Sequence, residues 1–465
     1  MRPLTVEEIA KAVEGKLVSG SGSTRITGVS TDTRKICPGE LFFALIGENS
    51  DGHRYIDKAY ENGCRAVVTS RKVEVPQEMA VIETADTLRA LQILAKKYLE
   101  GFPGLIRIGV TGSTGKTSTK ELLYWSLCGK YQTARNVGNF NNHIGMPLTA
   151  LRVEETDEAA IFEMGMGHFG EVDLLADIGR PEMALITNIG VSHIADLGSR
   201  ENILQAKLEI TNYFDENSKL VINFDNDLLS GIDWSKKKYK VIKVGKNPEA
   251  EYRILNVKNL GEEGVLLTMQ IEGREYEFFV PIPGIHNGHN GAMAVAAAVE
   301  AGVSPEAIAR TICQCQRTDK RLVIYNSPEG IKIIDDTYNA SPDSMKAGIE
   351  VLRSAEGERK LAILGDMLGM GPETERYHRE VGEYAGICGL DLVLSVGTDA
   401  RYISDSAAAY LGRERAFHFD TREDLISHLP ELVKPGDVVL LKASRAMGME
   451  KITEYLRKDR SRRYV

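Results

Sequence analysis

The stretch that most constrains the fold of this chain is an apolar strand followed by a glycine-rich turn, a lysine and two hydroxyl residues. It reads Gly-Val-Thr-Gly-Ser-Thr-Gly-Lys-Thr-Ser over residues 109–118 and follows the start of an apolar run at residues 105–110. We expect a buried strand before the glycines and a helix over residues 117–128 after them. This order cradles the phosphates of a nucleoside triphosphate. An ordinary glycine turn is the alternative, and a Lys-Thr-Ser sequence at the helix start favours the phosphate site.

The loop residues have distinct expected roles. Gly112 and Gly115 let backbone N–H groups approach phosphate oxygens without a Cβ in the way. Lys116 is expected to meet the β- and γ-phosphates, and the hydroxyl of Thr117 or Ser118 to hold Mg²⁺. Val110 stands where the full Walker pattern has glycine, so the match is to the shorter Thr-Gly-x-x-Gly-Lys-Thr form. The predicted ATP-binding residues of the loop are Gly112, Ser113, Thr114, Gly115, Lys116, Thr117 and Ser118.

Chain length and charge restrict the class of protein. The 465 residues are enough for about two to four domains. The net charge of −9 argues against a nucleic-acid partner. No apolar run reaches the roughly 18 residues of a membrane span, and the N-terminus lacks an apolar signal region, so we expect a cytoplasmic protein. The six cysteines lack zinc-type spacing and are expected to be reduced, mostly buried thiols.

The alternation of apolar strands and helical patterns predicts an α/β chain of three domains. We expect a small N-terminal α/β domain over residues 1–101 and a central P-loop domain with a mostly parallel sheet over residues 102–316. A C-terminal, Rossmann-like doubly wound domain is expected over residues 317–465. The predicted central strands are 106–110, 159–164, 183–188, 219–223 and 240–244, followed by hairpins over 252–281 and an alanine-rich helix over 291–301.

The predicted C-terminal strands are followed by polar residues. Ligands of open α/β sheets bind at the carboxyl ends of the strands, so we expect these residues to face a site. No Gly-x-Gly-x-x-Gly follows the first strand, and a dinucleotide is therefore not indicated. The predicted strands are 331–334, 361–364, 392–396, 416–419 and 438–441, and the polar residues are Asp335, Asp336, Gly365, Asp366, Gly397, Lys442, Ser444 and Arg445.

Several short polar residues lie on predicted turns of the N-terminal domain. Ser30, Asp32, Arg34 and His53 are suited to bind a nucleotide or a sugar phosphate. From these residues alone, solvated loop positions are at least as good an interpretation.

The central domain contains three further polar groups near strand ends. Asn139, Asn141 and Asn142 form a polar loop that could hold a substrate or the γ-phosphate, although a plain turn is the alternative. Glu163 ends an apolar strand, where a Mg²⁺ ligand of a P-loop protein would lie. His193 follows another apolar strand, expected to neighbour that of Glu163, and a metal-binding or a structural role is equally compatible with its position.

Two helices carry the remaining candidates. Lys207 lies on a helix with a broad apolar face, and residue type alone favours a solvated lysine there. Asn287 and Asn290 are one helical turn apart, so both amides could face the P-loop and touch the base or the phosphates. An N-cap with a solvated neighbour is the alternative for this pair.

Taken together, these motifs resemble the Mur ligases, the ATP-dependent amide-forming enzymes of peptidoglycan synthesis. The motifs occur in the family's order over all three domains: Thr-Gly-Ser-x-Gly-Lys-Thr, Asn-x-Asn-Asn-x-x-Gly-x-Pro, Glu-Met-Gly, Asn-Ile-x-x-x-His, Lys207 and Gly-x-His-Asn-x-x-Asn. The stretch Tyr-Asn-Ala-Ser-Pro at residues 338–342 resembles the member that adds D-alanyl-D-alanine, which usually has Tyr-Asn-Ala-Asn-Pro. Ser341 and Ala443 differ from the usual asparagine and glycine.

The resemblance implies ATP, two Mg²⁺ sites and roles for particular residues. Glu163, His193 and a carbamylated Lys207 would serve the Mg²⁺ sites with Thr117, and Glu163, His193 and Lys207 would join Lys116 as the catalytic set. The N-terminal loops with Ser30, Asp32, Arg34, Asp51 and His53 would bind the UDP end of the substrate. Arg321 and Asp336 would close over ATP, while Tyr338, Asn339, Ser444 and Arg445 would lie near the incoming dipeptide.

The implied substrates are UDP-N-acetylmuramoyl-tripeptide and D-alanyl-D-alanine, and the implied oligomeric state is a monomer. Whether the third peptide residue is diaminopimelate or lysine stays open. Another Mur ligase or a folylpolyglutamate synthase is an alternative, although the latter would not need the hundred or so residues that precede this P-loop. A P-loop protein that hydrolyses ATP only as a conformational signal is an alternative of a different class.

Overall fold

The structure is a computed structural model that describes residues 1–458. Its described strands form sheets of nine, six, five and two strands, with helices packed against them. Among the described residues, no helix is both long and apolar enough to cross a membrane. The fold is a mixed α/β architecture with mostly parallel sheets, as the sequence predicts.

The N-terminal part is built on the five-stranded sheet. Its first helix begins at the predicted cap, where Thr5 Oγ1 accepts a hydrogen bond from Glu8 N at 3.2 Å and Glu8 Oε2 accepts one from Thr5 N at 2.7 Å. The elements are β1 (Leu4–Thr5), α1 (Val6–Ala12), β2 (Lys16–Ser19), β3 (Arg25–Ile26), β4 (Gly28–Ser30), β5 (Glu40–Phe43), α2 (Ile56–Glu61), β6 (Ala66–Thr69), β7 (Ala80–Glu83) and α3 (Thr87–Glu100). The sheet order is β2-β7-β6-β5-β4, with only β2 antiparallel to its neighbour.

The central part contains the nine-stranded sheet and the P-loop. Its strands are β8 (Ile106–Thr111), β9 (Thr133–Arg135), β10 (Ala159–Glu163), β11 (Met183–Ile186), β12 (Lys219–Asn223), β13 (Lys240–Gly245), β14 (Tyr252–Asn259), β15 (Val265–Ile271) and β16 (Arg274–Val280). Its helices are α4 (Lys116–Leu127), α5 (Gly145–Ala150), α6 (Glu171–Gly179), α7 (Ile194–Leu197), α8 (Arg200–Leu208), α9 (Asp227–Ser230), α10 (Ile285–Glu300) and α11 (Pro305–Ile312). The sheet order is β16-β15-β14-β13-β12-β11-β8-β10-β9.

Most predictions for the central sheet are confirmed. The strands 219–223 and the two hairpins lie where the sequence places them, and β15 pairs antiparallel with both β14 and β16. The alanine-rich helix α10 begins at Ile285, earlier than the predicted residue 291. Gly288 and Gly291 lie inside the helix against Val257 and Val280, where a Cβ would be 2.5 Å and 2.8 Å from valine side-chain atoms.

The C-terminal part is built on the six-stranded sheet, in the order β17-β18-β22-β19-β20-β21. The edge strand β17 is antiparallel to β18, and the other strands are parallel, which is the predicted doubly wound pattern. The strands are β17 (Val323–Asn326), β18 (Lys332–Asp335), β19 (Lys360–Gly365), β20 (Leu392–Val396), β21 (Ala416–Phe419) and β22 (Val438–Lys442). The helices are α12 (Pro342–Ser354), α13 (Thr374–Ile387), α14 (Arg401–Leu411), α15 (Arg422–Leu432) and α16 (Glu450–Arg457).

The three parts contact one another through apolar and polar side chains. The largest buried cluster contains residues from both the N-terminal and the central sheets, and Lys96 pairs with Asp177 at 2.8 Å across that boundary. Val191 and Ile194 of the central part pack against the core of the C-terminal part. These contacts hold the loops after the central strands between the two flanking sheets.

The cysteines differ from the expectation that they are mostly buried. All six are free thiols, as predicted, but only Cys64 and Cys315 are buried. The other four lie on helix ends and loops, where apolar character does not determine burial.

Candidate active site

The glycine-rich loop connects β8 to α4 and points the start of α4 into a cleft. Gly112 and Gly115 have φ of +149° and +78°, a region that side chains with a Cβ rarely adopt. No side chain caps the N-terminus of α4, so its first N–H groups are free to bind an anion. Lys116 Nζ folds back onto Gly112 O at 2.7 Å.

The residues after β11 hold the P-loop in place. Asn188 Oδ1 accepts from Thr114 N at 2.9 Å, and Asn188 Nδ2 donates to Thr114 Oγ1 at 2.7 Å. Thr187 Oγ1 donates to Thr114 O at 2.6 Å and packs so closely that a Cβ on Gly112 would lie 1.9 Å from it. The loop is therefore fixed before any phosphate binds.

A cavity of about 740 Å³ opens beside this loop, between the central and the C-terminal parts. Its walls bring together predicted site residues from seven separate segments of the chain. These residues are Ser113, Thr114, Gly115, Lys116, Thr117, Ser118, Asn141, Asn142, Glu163, His193, Asn287, Asn290, Arg321, Asp336, Tyr338 and Asn339.

Glu163 lies at the end of β10 with 1 % of its surface exposed. Its Oε1 accepts from Thr117 Oγ1 at 3.1 Å and from Asn141 Nδ2 at 2.8 Å. Its Oε2 is buried without a hydrogen-bond partner. A buried carboxylate oxygen with a free lone pair, next to a hydroxyl and a phosphate cradle, fits a Mg²⁺ ion.

The donor set also fits the way Mg²⁺ binds. Over residues 1–458, no group of three or more His, Cys, Asp or Glu side chains is arranged to hold a metal ion. Mg²⁺ commonly uses one or two protein oxygens together with substrate phosphates and water, rather than a cage of protein ligands.

His193 faces the same cavity, but its position differs from the predicted one. Strand β8 lies between β10 and β11, so the strands of Glu163 and His193 are not neighbours. His193 lies in the loop after β11 with φ of +66°, and 43 % of its side chain is exposed. Partial burial, with Lys116 and Lys207 acting in the same direction, lowers its pKa to about 4. The imidazole is therefore neutral at pH 7, as a metal ligand must be.

Lys207 on α8 is buried, with 1 % of its surface exposed, so the solvated position favoured by residue type is wrong. Burial holds the pKa of Lys207 well below its usual value, and the charge of Lys116 adds to this. Among the described residues, no carboxylate offsets this effect on the Lys207 amine. The composition of α8 could not reveal this burial, because its apolar residues do not determine which way the Lys207 side chain points.

Helix α10 and the loop after β18 also line the cavity. Asn290 Nδ2 donates to Asn287 Oδ1 at 2.9 Å, and the Asn290 amide lies so close to the P-loop that a Cβ on Gly115 would be 2.6 Å from Asn290 Oδ1. Arg321 stacks on the ring of Tyr338 at 4.0 Å. Both asparagines are thus inside α10 and do not cap it.

Lys442 joins the loop after β18 to the end of β22. Its Nζ donates to Asp336 Oδ2 at 2.5 Å and to Asn339 O at 2.9 Å. This fixes the segment that carries Tyr338 against the cavity.

The remaining predicted residues do not line this cavity. Ser444 is buried and its Oγ accepts from Leu368 N at 2.8 Å, whereas Arg445 pairs with Glu450 at 3.1 Å outside the cleft. Asp366 accepts hydrogen bonds from the backbone N–H groups of residues 398–400, which directly precede α14. Gly112 is buried within the P-loop, and Asn139 is exposed.

The N-terminal candidates form two local pairs away from the cavity. Asp32 binds Arg34 at 2.8 Å, and Asp51 binds His53 at 2.7 Å and Arg71 at 2.6 Å. The hydrogen bond from His53 holds the pKa of Asp51 at about 2, and that from Arg34 does the same for Asp32. His53 Nε2 accepts from Ser70 N at 3.0 Å, which orients the loop. Ser30 Oγ donates to Asp32 O at 3.1 Å.

Sequence reasoning missed three residues that support the site. Asn188 belongs to the Asn-Ile-x-x-x-His motif, which does not reveal its contact with the P-loop. Lys120 and Asn136 are buried beside Glu163, outside the motifs that identify the site. The spacing of Lys120, one turn after Thr117 on α4, is the signal that could have identified it.

The fold and the cavity define a P-loop protein whose nucleotide site is closed by a Rossmann-like domain, and family models match each part of it. The Mur ligase family catalytic domain matches residues 25–99, the Mur ligase middle domain residues 110–298, and the Mur ligase glutamate ligase domain residues 320–445. The chain belongs to the Mur ligase family.

Individual relatives are similar over nearly the whole chain. The UDP-N-acetylmuramoyl-tripeptide–D-alanyl-D-alanine ligase of Bacillus subtilis is 42% identical over 97% of this chain and 98% of its own length. The crystal structure of MurF from Acinetobacter baumannii superposes with a TM-score of 0.89 at 29% identity, covering 98% of this chain and 100% of that one. MurF ligase from Thermotoga maritima, solved in complex with ADP, has a TM-score of 0.78 at 27% identity and covers 92% of this chain and 97% of that one.

Proposed function

We propose that this chain is an ATP-dependent ligase of peptidoglycan synthesis that adds D-alanyl-D-alanine to UDP-N-acetylmuramoyl-tripeptide. The observation that carries the proposal is a single cavity with a phosphate cradle on one wall and the Asp336–Asn339 segment on the other. Residues of the first wall can hold the ATP that activates a carboxylate. Residues of the second wall can position an amine next to the activated carboxylate. The full-length similarity to relatives named for this reaction supports the choice of substrates.

ATP is the nucleotide that this site uses. The Thermotoga maritima relative binds ADP, and the P-loop here has the free N–H groups and the lysine that a triphosphate needs. We place the phosphates at Gly112, Ser113, Thr114, Gly115, Lys116, Thr117 and Ser118. Asn287, Asn290, Arg321 and Asp336 would enclose the remainder of the nucleotide.

Thr117, Glu163, His193 and Lys207 would hold Mg²⁺ in two sites. Lys207 would do so as a carbamate, because burial lowers its pKa and so favours the uncharged amine, which is the form that reacts with CO₂. Bound Mg²⁺ offsets negative charge on the phosphate oxygens.

The reaction that we infer has two steps, since a carboxylate and an amine do not condense readily in neutral water. An oxygen of the terminal carboxylate of the tripeptide forms a bond to the γ-phosphorus, and the bond to ADP breaks. Lys116 stabilises the charge that develops on the phosphoryl oxygens. The free amine of D-alanyl-D-alanine then attacks the acyl phosphate, loses a proton and expels inorganic phosphate.

The other parts of the chain have proposed roles in this reaction. Residues 1–101 would form the domain that binds the UDP end, through Ser30, Asp32, Arg34, Asp51 and His53, with Asn139, Asn141 and Asn142 nearer the reacting end. Residues 102–316 would bind ATP. Residues 317–465, of which 459–465 lie outside the described part, would rotate to bring Tyr338, Asn339, Ser444 and Arg445 to the dipeptide. We further propose a cytoplasmic monomer.

The test is a phosphate-release assay in which each substrate is omitted in turn. A ligase releases phosphate only when UDP-N-acetylmuramoyl-tripeptide and D-alanyl-D-alanine are both present, and it forms one amide per phosphate. Tripeptides ending in diaminopimelate and in lysine, together with a folylpolyglutamate substrate pair, complete the panel. Phosphate release that needs neither peptide would contradict the proposal and would favour a P-loop switch.

A further inference from the structure

Lys120 is a fully buried lysine that the reaction described above does not use. It lies on α4, and no part of its surface is exposed. Burying an ammonium group costs several kcal/mol unless charged and polar partners surround it. Because this burial is costly, specific contacts must stabilise the Lys120 ammonium group so close to a phosphate site.

The partners of Lys120 form a chain of alternating charge. Its Nζ lies 3.0 Å from Glu121 Oε1, and Glu121 Oε2 accepts from Arg135 Nε at 2.8 Å. The guanidinium of Arg135 stacks on Tyr124 at 3.4 Å near the surface. On its other side, Lys120 Nζ lies 3.7 Å from Glu163 Oε2.

Lys120 is also linked, through Asn136, to the backbone of Glu163. Its Nζ donates to Asn136 O at 2.9 Å, and Asn136 Oδ1 accepts from Glu163 N at 2.6 Å. Asn136 Nδ2 in turn donates to Phe140 O, in the loop that carries Asn141. One ammonium group therefore holds the residue that fixes the end of β10 and the start of the asparagine loop.

The distance from Lys120 to the Glu163 carboxylate is informative. At 3.7 Å the ammonium attracts Oε2 but makes no hydrogen bond with it, so the lone pair of that oxygen stays free. Thr117, one helical turn before Lys120, holds the other oxygen at 3.1 Å. Helix α4 thus orients both oxygens of Glu163 and leaves one of them available.

We propose that Lys120 is a positioning residue that sets Glu163 in the orientation needed to bind a divalent cation. The proposal rests on the metal-binding role of Glu163 given above. A purely structural role for Lys120 would stabilise the fold without affecting cation binding, and the two roles predict different results.

The experiment measures Mn²⁺ affinity by electron paramagnetic resonance in the presence of a non-hydrolysable ATP analogue. Lys120→Met removes the charge and keeps an unbranched side chain that is one atom shorter. Glu121→Gln is the matched control, because it disturbs the same buried pair without touching Glu163. Since supporting residues of metal ligands typically contribute about 10- to 100-fold in affinity, we expect Lys120→Met to weaken Mn²⁺ binding by about that factor. Glu121→Gln should change it less than twofold.

A Mn²⁺ affinity of Lys120→Met that is unchanged or tighter would overturn the inference. If Lys120→Met does not fold, as judged by its melting temperature and circular dichroism, Asn136→Ala replaces it, because it breaks the contact to Glu163 N. An unchanged affinity in that variant would overturn the inference equally. Glu163→Gln separates the two proposals: if it loses Mn²⁺ while Lys120→Met does not, only the role of Lys120 fails.

Discussion

Lys116 and Lys207 are two lysines whose low pKa values have the same physical origin and different consequences. Burial lowers the pKa of both amines. Lys116 lies beside Glu163, whose charge raises its pKa, and bound phosphates would favour its charged form further. Lys207 has only a cationic neighbour among the charges that act on it, so its neutral form is favoured.

The first prediction at this scale concerns Lys116. Lys116→Ala should lower the rate of amide formation at least about 100-fold, because it removes the cation that stabilises the transferring phosphoryl group. The rate of phosphate release at saturating ATP and both peptides is the measurement. Lys97→Ala, at an exposed position of α3 outside the cavity, is the control and should keep the wild-type rate. Equal rates in the two variants would refute the role of Lys116.

The proposed carbamate on Lys207 predicts a dependence on CO₂. Dialysis against CO₂-free buffer should lower activity, and added bicarbonate should restore it, because the neutral amine forms and loses the carbamate reversibly. Carbon-13 NMR with labelled bicarbonate should show a carbamate resonance that is absent from Lys207→Ala. Activity that is indifferent to bicarbonate, with no such resonance, would show that Lys207 acts as a plain amine.

His286 predicts a change of stability with pH. Its burial, reinforced by the charge of Lys442, lowers its pKa from 6.5 to about 4. Between those values the unfolded chain binds a proton that the folded chain does not, so the free energy of unfolding should fall as the pH drops from about 6.5 to about 4. Denaturant unfolding at several pH values should show a flatter profile for His286→Gln. The exposed His168 provides the control, since His168→Gln should leave the profile unchanged, and equal profiles for all three proteins would refute this prediction.

At the scale of elements, the loop between β8 and α4 depends on a glycine at position 112. A Cβ there would lie 1.9 Å from Thr187 Oγ1, and φ is +149°. Gly112→Ala should therefore distort the loop and weaken binding of an ATP analogue by at least about 10-fold, measured by isothermal titration calorimetry. Gly104→Ala, where no atom lies within 4 Å of the new Cβ, is the control. Wild-type affinity in Gly112→Ala would contradict the described loop geometry.

Secondary structure was largely predictable because the buried strands are short apolar runs between turn residues. The strands β12, β20 and β21 have the predicted bounds. The edge strands β9 and β17 were missed, since they have three and four residues and are not fully buried. The start of α10 was misplaced because its glycines serve close packing, which only the tertiary structure shows.

The candidate site was less predictable than the fold. Loop motifs identified the P-loop, Glu163 and the asparagines, because their residue types are chemically specific. The burial of Lys207 and Lys120 was not predictable, since a lysine on an amphipathic helix usually extends into solvent. The order of β10, β8 and β11 was also beyond sequence reasoning, and it places Glu163 and His193 on opposite sides of the P-loop strand.

At the scale of the whole molecule, the segment from Thr187 to Ala195 connects the nucleotide site to the C-terminal part. Thr187 and Asn188 hold the P-loop, while Ala195 N donates to Gly369 O at 3.3 Å and Ile194 packs on the C-terminal core. His193 lies between these two attachments. The position of the C-terminal part and the geometry of the phosphate site are thus physically linked.

The central claim is that ATP activates the carboxylate of the tripeptide as an acyl phosphate within this chain. Tripeptide labelled with ¹⁸O in its terminal carboxylate tests this most directly, with mass spectrometry of the inorganic phosphate released in the presence of ATP and D-alanyl-D-alanine. The account predicts one ¹⁸O atom in each phosphate, because the carboxylate oxygen that attacks the γ-phosphorus leaves with it. Phosphate without ¹⁸O, its fourth oxygen taken from water, would contradict the account.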